Sequence, residues 1–383
     1  MDFDLTEEQQ LLKDSIASFL TDTYDFDSRK RFAAQAGGFS KEVWGKFAEL
    51  GLLGLPFSEA DGGFGGGAVE TMLVMEQFGK ALVLEPYLAT VILGGGVLRH
   101  AGSAEQKAAL IPAIAEGSLT LALATTERFS RYDLFDVQTT AKKDGSSWVL
   151  DGEKSVVVNG ATADKIIVTA RTSGARRDKA GIGLFLVPGD APGVTRRDTA
   201  TQDGTHVAEI TLTGVRVGPE AVIGDPAGGL AVVERVADEA IAALSAEALG
   251  AMEELHNLTV DYLKQRKQFG INIGSFQALQ HRAAEMFVAL EQARSMAMLA
   301  AMTSETEDVA ERQAMASAAK VQIGRSAKFI GQQAVQLHGG IAMTMEYKGG
   351  HYFKRLTMID TLFGDADHHL SKVAEYGQLV SAA

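Results

Sequence analysis

The feature that most constrains the fold is a set of long helical segments that begins at Gly229. Three stretches are rich in Ala, Leu, Met, Glu and Gln and contain no proline: residues 229–265, 276–303 and 309–336. Helices of this length gain most of their stability by packing an apolar face against neighbours, and they usually do so side by side. The sequence therefore predicts an antiparallel helical bundle for residues 225–383.

The first part of the chain, residues 1–118, also has helical periodicity. Thr6 with Gln9, and Ser103 with Gln106, form the two partners of capping boxes, in which a hydroxyl and a glutamine side chain satisfy backbone N–H groups at a helix start. Apolar residues at helical spacing follow these caps. We expect an N-terminal helical domain here.

Between the two helical parts, residues 119–224 have the pattern of short strands. Turn signals separate the strands at Asp151-Gly152, Asn159-Gly160 and Asp203-Gly204. The β-rich runs are residues 119–125, 147–150, 156–158, 166–170, 183–187 and 207–212. Because no long helix interrupts them, they predict a compact antiparallel sheet or barrel. The predicted fold class is mostly α with a central β-domain.

Composition excludes several classes of function. The net charge of -13 argues against nucleic acid or an anionic membrane as the main partner, although local arginines can still bind an anionic ligand. The absence of cysteine removes disulfides and thiolate chemistry, and it fits a cytoplasmic location. No apolar run is long enough to predict a spanning helix. His368 and His369 are adjacent and would point apart on a helix, so no metal site is predicted.

Two segments in the helical C-terminal part have residue types suited to phosphate. In the run RKQFG, Arg266 and Gln268 offer hydrogen-bond donors and Phe269 offers a ring. In the run QLHGG, Gly339-Gly340 lets backbone approach a ligand closely. A basic helix end favoured by the dipole, and a plain helix cap, explain the same residues equally simply.

Two strand segments complete the pattern. The first is LALATTE, residues 121–127, and the second is GEKSVVVNGATAD, residues 152–164. Strand ends leave backbone groups that can hydrogen-bond a flat heterocycle. Taken separately, both are ordinary strands.

The order TTE, GEK with VNG, RKQFG and QLHGG, together with the glycine-rich loop DGGFGGG, resembles the acyl-CoA dehydrogenase family along essentially the whole chain. The resemblance implies an N-terminal helical domain, a β-domain and a four-helix bundle. It also implies bound FAD, an acyl-CoA substrate, an electron-transfer acceptor, and assembly with a copy or a related subunit. In such an assembly a neighbouring subunit contacts the adenosine end of FAD.

The resemblance also implies which residues bind FAD. Residues on the flavin side would lie at the ends of the strands and near the C-terminus, and those on the ADP side would lie in the bundle. The flavin-side set is Leu123, Ala124, Thr125, Thr126, Val156, Val158, Ala366 and His368, and the ADP-side set is Arg266, Gln268, Phe269, Gln277, Gln336, Gly339 and Gly340.

The chain departs from the family at the catalytic base. The family keeps a glutamate in one of two places, which correspond here to Gly364 (or the adjacent Phe363) and to Ala240, 26 residues before Arg266. None of these side chains accepts a proton. The nearest carboxylates are Asp365, Asp367, Glu239 and Asp238, of which Asp365 and Glu239 are the candidate bases, with Asp365 first. Capping or solvated charge explains the same four residues.

Other departures agree with this one. The loop that in the family is small and glycine-rich reads TERFSRYD, residues 126–133, and a flavin-edge Trp-x-Thr becomes three valines, residues 156–158. The combination resembles the smaller subunit of two-subunit acyl-CoA dehydrogenases, the branch with pimeloyl-CoA and steroid side-chain enzymes. In that branch a partner chain can supply the base.

Three functions remain open from the sequence. The first is FAD-dependent α,β-dehydrogenation of an acyl-CoA, alone or in a heterotetramer. The second is a non-catalytic structural subunit of such an enzyme. The third is a flavin oxidase or monooxygenase on the same fold, since fold does not fix chemistry.

Overall fold

The computed structural model describes residues 5–377 and contains the predicted helices. Thr6 and Ser103 both form complete capping boxes, and Ser40 caps a third helix. The long helical stretches are present almost as predicted. The helices are α1 (Glu7–Thr23), α2 (Phe26–Ala33), α3 (Lys41–Glu49), α4 (Ala68–Ala81), α5 (Gly95–Ala101), α6 (Ala104–Ala115), α7 (Gly229–Gln265), α8 (Gln277–Ser304), α9 (Val309–His338), α10 (Lys348–Thr361) and α11 (Ala366–Tyr376), with a π-helix at Leu88–Gly94.

The strands of the β-domain form one eight-stranded sheet, and a separate two-stranded hairpin follows α7. The strands are β1 (Leu121–Ala124), β2 (Thr140–Asp144), β3 (Ser147–Val158), β4 (Lys165–Arg171), β5 (Ile182–Pro188), β6 (Val194–Ala200), β7 (His206–Val217), β8 (Val222–Ile223), β9 (Lys267–Gln268) and β10 (Ile271–Asn272). The path through the large sheet is β6-β7-β3-β2-β4-β5-β8, and β1 pairs with β4 beside it.

The fold class predicted from the sequence is confirmed, with two corrections in the sheet. The sheet is mixed rather than purely antiparallel, because β1 and β2 both pair with β4 in parallel. The turn predicted at Asp151-Gly152 is wrong, because both residues lie inside the continuous strand β3. The pairing of β3 with β7 shifts register between Leu150 and Gly152, so this position is an irregularity within the strand and not a turn.

Contacts divide the chain into two compact units that do not follow chain order. One unit contains the residues up to Lys30, Ala68–Val83, and the chain from Ile241 onward. The other contains Arg31–Gly67 and Leu84–Ala240. The division into residues 1–118, 119–224 and 225–383 therefore stays a prediction about sequence segments, and each compact unit combines parts of more than one of them.

In the helical unit, α9 packs against α8, α10 and α11, and α4 packs against α1 and α8. A close crossing of α4 and α7 depends on two glycines: a Cβ at Gly79 would lie 1.9 Å from the carbonyl oxygen of Glu247, and one at Gly250 equally close to that of Glu76. Arg355 of α10 pairs with Glu247 through both carboxylate oxygens, at 2.6 and 2.8 Å. These contacts fix α7 from Ile241 onward against its neighbours.

In the β-containing unit, buried apolar side chains of the strands form a core, in which Leu150, Ile166, Phe185 and Val215 are fully buried. The buried π-helix lies against the start of β1. The Thr90 hydroxyl accepts from the Leu121 N–H at 3.1 Å and donates to the Leu121 carbonyl oxygen at 3.3 Å. Strand β1 is therefore held on its second side by a side chain. Among residues 5–377, no helix is long and apolar enough to cross a membrane.

Candidate functional site

The predicted flavin-side residues of the β-containing unit meet where β1 ends. The Ser155 N–H, on β3, donates to the Thr126 carbonyl oxygen at 2.9 Å, so the segment after β1 lies against β3. Residues 123–125 are buried and Thr126 is half-buried. The structure therefore brings residues 123–126 next to the strand that contains residues 156–158, and their contact with a flavin stays a prediction.

Val156 has a strained backbone at this edge. Its φ angle is 55°, a region that β-branched residues rarely adopt, and its side chain is 46% exposed. The pairing of β3 with β7 shifts register between Lys154 and Val157, which marks a bulge that turns Val156 outward. Strained backbone conformations occur preferentially at ligand sites. They persist only where surrounding contacts hold them in place.

A fully buried lysine lies beneath these strand ends. The Lys154 ammonium donates to Glu127 Oε1 at 2.8 Å and to Thr169 Oγ1 at 2.9 Å. Glu127 also accepts from the backbone N–H groups of Gln138 at 2.7 Å and Thr139 at 3.0 Å. One ammonium thus joins β3, β4 and the segment that follows β1.

The pKa values of the pair follow from burial and mutual attraction. Burial lowers the pKa of Lys154 to about 8, although the Glu127 carboxylate acts to raise it. Burial acts to raise the pKa of Glu127, but the Lys154 ammonium and the two backbone donors outweigh it, so the net shift is downward. At neutral pH both groups are ionised and paired.

Glu239, one of the two candidate bases, is part of an ion-pair cluster in the same unit. Its carboxylate contacts Arg99, His100 at 2.7 Å and Arg235 at 3.2 Å. Burial acts to raise the pKa of Glu239, yet the hydrogen bond with His100 and the Arg99 and Arg235 guanidiniums lower it overall. A carboxylate held ionised by cations is a weak proton acceptor. Its catalytic role stays a prediction, and its contacts weigh against it. Ala240 is fully buried.

Asp365, the other candidate base, caps α11 in the helical unit. Its Oδ1 accepts from the His368 N–H at 2.8 Å, as an N-cap side chain does. The capping bond is an ordinary structural use of aspartate. The role of Asp365 as a base stays a prediction, and the structure shows this carboxylate as the N-cap of α11.

The backbone next to Asp365 is shaped for glycine. Gly364 has a φ angle of 112°, and a Cβ there would lie 2.6 Å from His369 Nε2. His369 is buried; its Nε2 bonds the Phe363 carbonyl oxygen at 2.9 Å and its Nδ1 bonds Ser317 Oγ at 3.1 Å. A glutamate at residue 364 would require this loop to change conformation.

The predicted ADP-side residues that follow α7 lie on the surface. Strands β9 and β10 form a hairpin, and Arg266, Gln268 and Gln277 around it are exposed. Phe269 is 89% exposed with a φ angle of 54°, and its ring centroid lies 6.2 Å from that of Phe276. The hairpin therefore presents a guanidinium and an aromatic ring outward.

The remaining predicted residues lie at opposite ends of α9. Gln336, Gly339 and Gly340 are exposed at its C-terminal end, and a Cβ on either glycine would meet no atom within 4 Å. The start of α11, with Ala366 and His368, is joined to Ser317 of α9 through His369. Ser317 and Gln336 are 19 residues apart, or about 28 Å along a helix. Within one chain, these two predicted sets are well separated.

Sequence reasoning missed the Lys154–Glu127 pair and the cations around Glu239. Lys154 lies within the GEK motif, and an ionisable residue in an apolar strand pattern is a signal for a buried partner. The identity of that partner depends on strand pairing across 27 residues. Among residues 5–377, no group of three or more potential ligand side chains could hold a metal ion.

Three family models match the chain in succession. Residues 6–118 match the acyl-CoA dehydrogenase N-terminal domain, residues 122–215 the middle domain, and residues 227–377 the C-terminal domain. Together they cover most of the chain.

Individual proteins agree with the family models. A probable acyl-CoA dehydrogenase of Bacillus subtilis, YngJ, is 33% identical over 352 residues, which are 91% of this chain and 92% of that protein. The structure of an FAD complex of PigA is similar with a TM-score of 0.90 and 27% identity, over 99% of this chain and 100% of that one. A chain of the Tcur3481-Tcur3483 steroid ACAD is similar with a TM-score of 0.88 and 28% identity, over 98% and 99%.

Replacing Lys154 tests the importance of the buried pair. We expect Lys154→Met to lower the free energy of unfolding by about 3–5 kcal/mol, because Glu127 is left buried without its cation. Urea unfolding followed by circular dichroism measures this. The matched control is Lys154→Met combined with Glu127→Gln, which should be less destabilised than the single variant. A single variant within about 1 kcal/mol of the wild type would contradict the interpretation.

Proposed function

The chain belongs to the acyl-CoA dehydrogenase family, and we propose that it takes part in FAD-dependent α,β-dehydrogenation of an acyl-CoA as one subunit of an oligomer. The observation that carries the proposal is the strained edge of β1 and β3, where the family's flavin-side segments meet around Val156. The exposed hairpin after α7 and the open glycine pair after α9 support it.

The residues present fit an FAD molecule. Backbone groups at the ends of β1 and β3 suit a flat heterocycle, since strand ends offer hydrogen-bond donors and acceptors. Beside Gly339 and Gly340 there is open space for phosphate oxygens to approach backbone. Arg266 supplies a guanidinium with matching geometry, and the exposed Phe269 supplies a ring surface. No acidic side chain is among the residues proposed for the phosphates.

The protein's part in the reaction is to align and to hold charge. When bound, FAD supplies the acceptor for the hydride that leaves the β-carbon of the substrate. The Lys154–Glu127 pair holds the strand ends in one geometry, so the flavin-side backbone is ordered before substrate binds. Removal of the α-proton needs hydrogen-bond donors to the thioester oxygen, which stabilise the developing enolate, and a separate carboxylate that accepts the proton.

We propose that this carboxylate belongs to a related partner chain. Gly364 and Ala240 carry no acid, Asp365 caps a helix, and Glu239 is held by cations. The similar steroid ACAD is described by the names of two chains, Tcur3481 and Tcur3483. A heteromer of that kind, with this chain as a flavin-binding subunit and the partner as the source of the base, accounts for all four residues.

A non-catalytic structural subunit is the second candidate, and the occupied carboxylates of Asp365 and Glu239 favour it. The visible spectrum of the purified chain separates the two functions. A flavin spectrum with protein-bound features supports the proposal, whereas a chain that never binds FAD, alone or with a partner, supports the structural role.

The surface for oligomer assembly is proposed to include the hairpin after α7. Three large apolar side chains there are exposed by 37% or more: Phe269, Ile271 and Phe276. Exposed apolar side chains in contact with one another are typical of interaction surfaces. The separation of the two FAD-binding sets along α9 supports assembly too, since a neighbouring chain's residues can then complete each cofactor site.

Two further proposals concern the substrate and the location of the protein. We propose an acyl group of lipid or steroid type, because the similar proteins include a steroid ACAD and an acyl-CoA dehydrogenase. An electron-transfer protein is the proposed acceptor. A cytoplasmic location is proposed because the chain has no cysteine to protect or to pair.

Substitution of the two candidate bases tests the origin of the base. In a preparation that reduces its flavin with an acyl-CoA, we expect Asp365→Asn and Glu239→Gln each to change the rate of flavin bleaching by less than about threefold. General base catalysis typically contributes about 10²–10⁴-fold, so loss of the base would be unmistakable. Stopped-flow absorbance measures the rate. A drop of two orders of magnitude in either variant would assign the base to this chain.

A charge placed in the hairpin tests the assembly surface. We expect Phe269→Asp to convert the oligomer to single chains at micromolar concentration, because an ionised carboxylate would be buried at the interface without a partner. Light scattering after size-exclusion chromatography measures the mass. The control is Leu11→Asp, which changes a 69% exposed side chain on α1. An unchanged mass for Phe269→Asp would place the interface elsewhere.

A further inference from the structure

The last residue of α9, His338, is buried directly before the glycine pair. It is 4% exposed, whereas Gly339 and Gly340 are exposed. Its Nδ1 lies 2.8 Å from the carbonyl oxygen of Ala334, which can only accept, so Nδ1 carries the proton. In the neutral ring, Nε2 is then an acceptor. The Tyr347 hydroxyl, at 2.7 Å, donates to it.

His338 also contacts α7. Its ring centroid lies 4.6 Å from that of Tyr262, with the ring planes 37° apart. Tyr262 is one turn before Arg266, and its carbonyl oxygen accepts from the Arg266 N–H at 2.8 Å. The histidine therefore links the end of α9 to the turn of α7 from which the arginine segment leaves.

The segment between His338 and Tyr347 depends on these end contacts. It begins as a 3₁₀ turn at Gly339–Met343 and ends at Tyr347, the N-cap of α10. Its two glycines have no side chains to pack. The Tyr347 ring lies 5.0 Å from the histidine ring, so the two aromatic side chains hold the two ends of the segment together. Loss of this contact would leave the glycine pair free to move.

Both groups stay neutral across the physiological range. Burial lowers the pKa of His338, although backbone acceptors oppose the shift. Burial raises the pKa of Tyr347 to about 12. The hydrogen bond between them is therefore a neutral one, in which the tyrosine donates and the histidine accepts.

We propose that His338 is a positioning residue for the diphosphate of FAD. Through its hydrogen bond with Tyr347 it fixes the glycine pair, at the point where the end of α9 contacts the turn of α7 that leads to Arg266. If the glycine backbone and the Arg266 guanidinium bind the same phosphates, the placement of the glycine pair affects the affinity for FAD. This inference rests on the proposed binding of FAD and names the residue that organises its phosphate side.

Three variants test the hydrogen bond between His338 and Tyr347. His338→Asn keeps a donor where Nδ1 is and removes the acceptor for Tyr347. His338→Gln keeps an acceptor where Nε2 is. Tyr347→Phe removes only the hydroxyl. We expect FAD release from the holoenzyme to be about tenfold faster for His338→Asn and Tyr347→Phe, and within about twofold of the wild type for His338→Gln.

Release is measured as the rise of flavin fluorescence after dilution, well below the melting temperature of each variant. The double variant His338→Asn with Tyr347→Phe should release FAD no faster than either single one, since both remove the same bond. Equal release from all variants would overturn the inference while leaving FAD binding intact. A wild-type chain that never holds FAD would instead overturn the proposed function on which the inference rests.

Discussion

The buried ion pair between Lys154 and Glu127 is the interaction on which the candidate site depends. An ammonium in an apolar core is costly unless its donors are satisfied, so its partners must be in place for the sheet to fold. Those partners come from β4 and from the segment after β1. The strained backbone of Val156 lies two residues away on the same strand. A structural requirement of the core thus orders the backbone proposed to face the flavin.

The chain combines retained cofactor features with carboxylates that perform other tasks. The loop around Gly364 follows a path that suits glycine, and His369 fixes that path from the inside. Asp365 stabilises the helix that follows, and Glu239 forms ion pairs with the guanidiniums of Arg99 and Arg235. If either carboxylate acted as the catalytic base, it would lose a contact that stabilises the fold: the capping hydrogen bond of Asp365 or the ion pairs of Glu239. Dependence on a partner chain for proton abstraction is the simplest account of this arrangement.

Much of the fold was predictable because its signals are local. The long helices follow from periodicity without proline, and the capping boxes at Thr6 and Ser103 mark helix starts. Strand β6, with the polar sequence VTRRDTA, was not predicted because most of its residues are exposed on both faces, so it has no apolar alternation. The association of Arg31–Gly67 with the β-domain was not predictable either, because it depends on contacts distant in sequence.

For the site, the sequence marked candidate segments but did not indicate how their side chains are used. Residues 123–126 and 156–158 do lie together. The N-cap role of Asp365 had a readable signal, an aspartate immediately before a helical run. The partners of Glu239 had none, since Arg99 and His100 are some 140 residues earlier in the chain. Pairing across such separations is decided by tertiary structure alone.

The central claim is that this chain holds a flavin but not the base. The most direct test is the absorbance of the purified, FAD-loaded chain during anaerobic addition of a panel of acyl-CoAs, first alone and then with its co-purified partner. The account predicts that the flavin stays oxidised when the chain is alone and bleaches only in the complex. Rapid bleaching by the single chain would contradict it and would show that a base on this chain is sufficient.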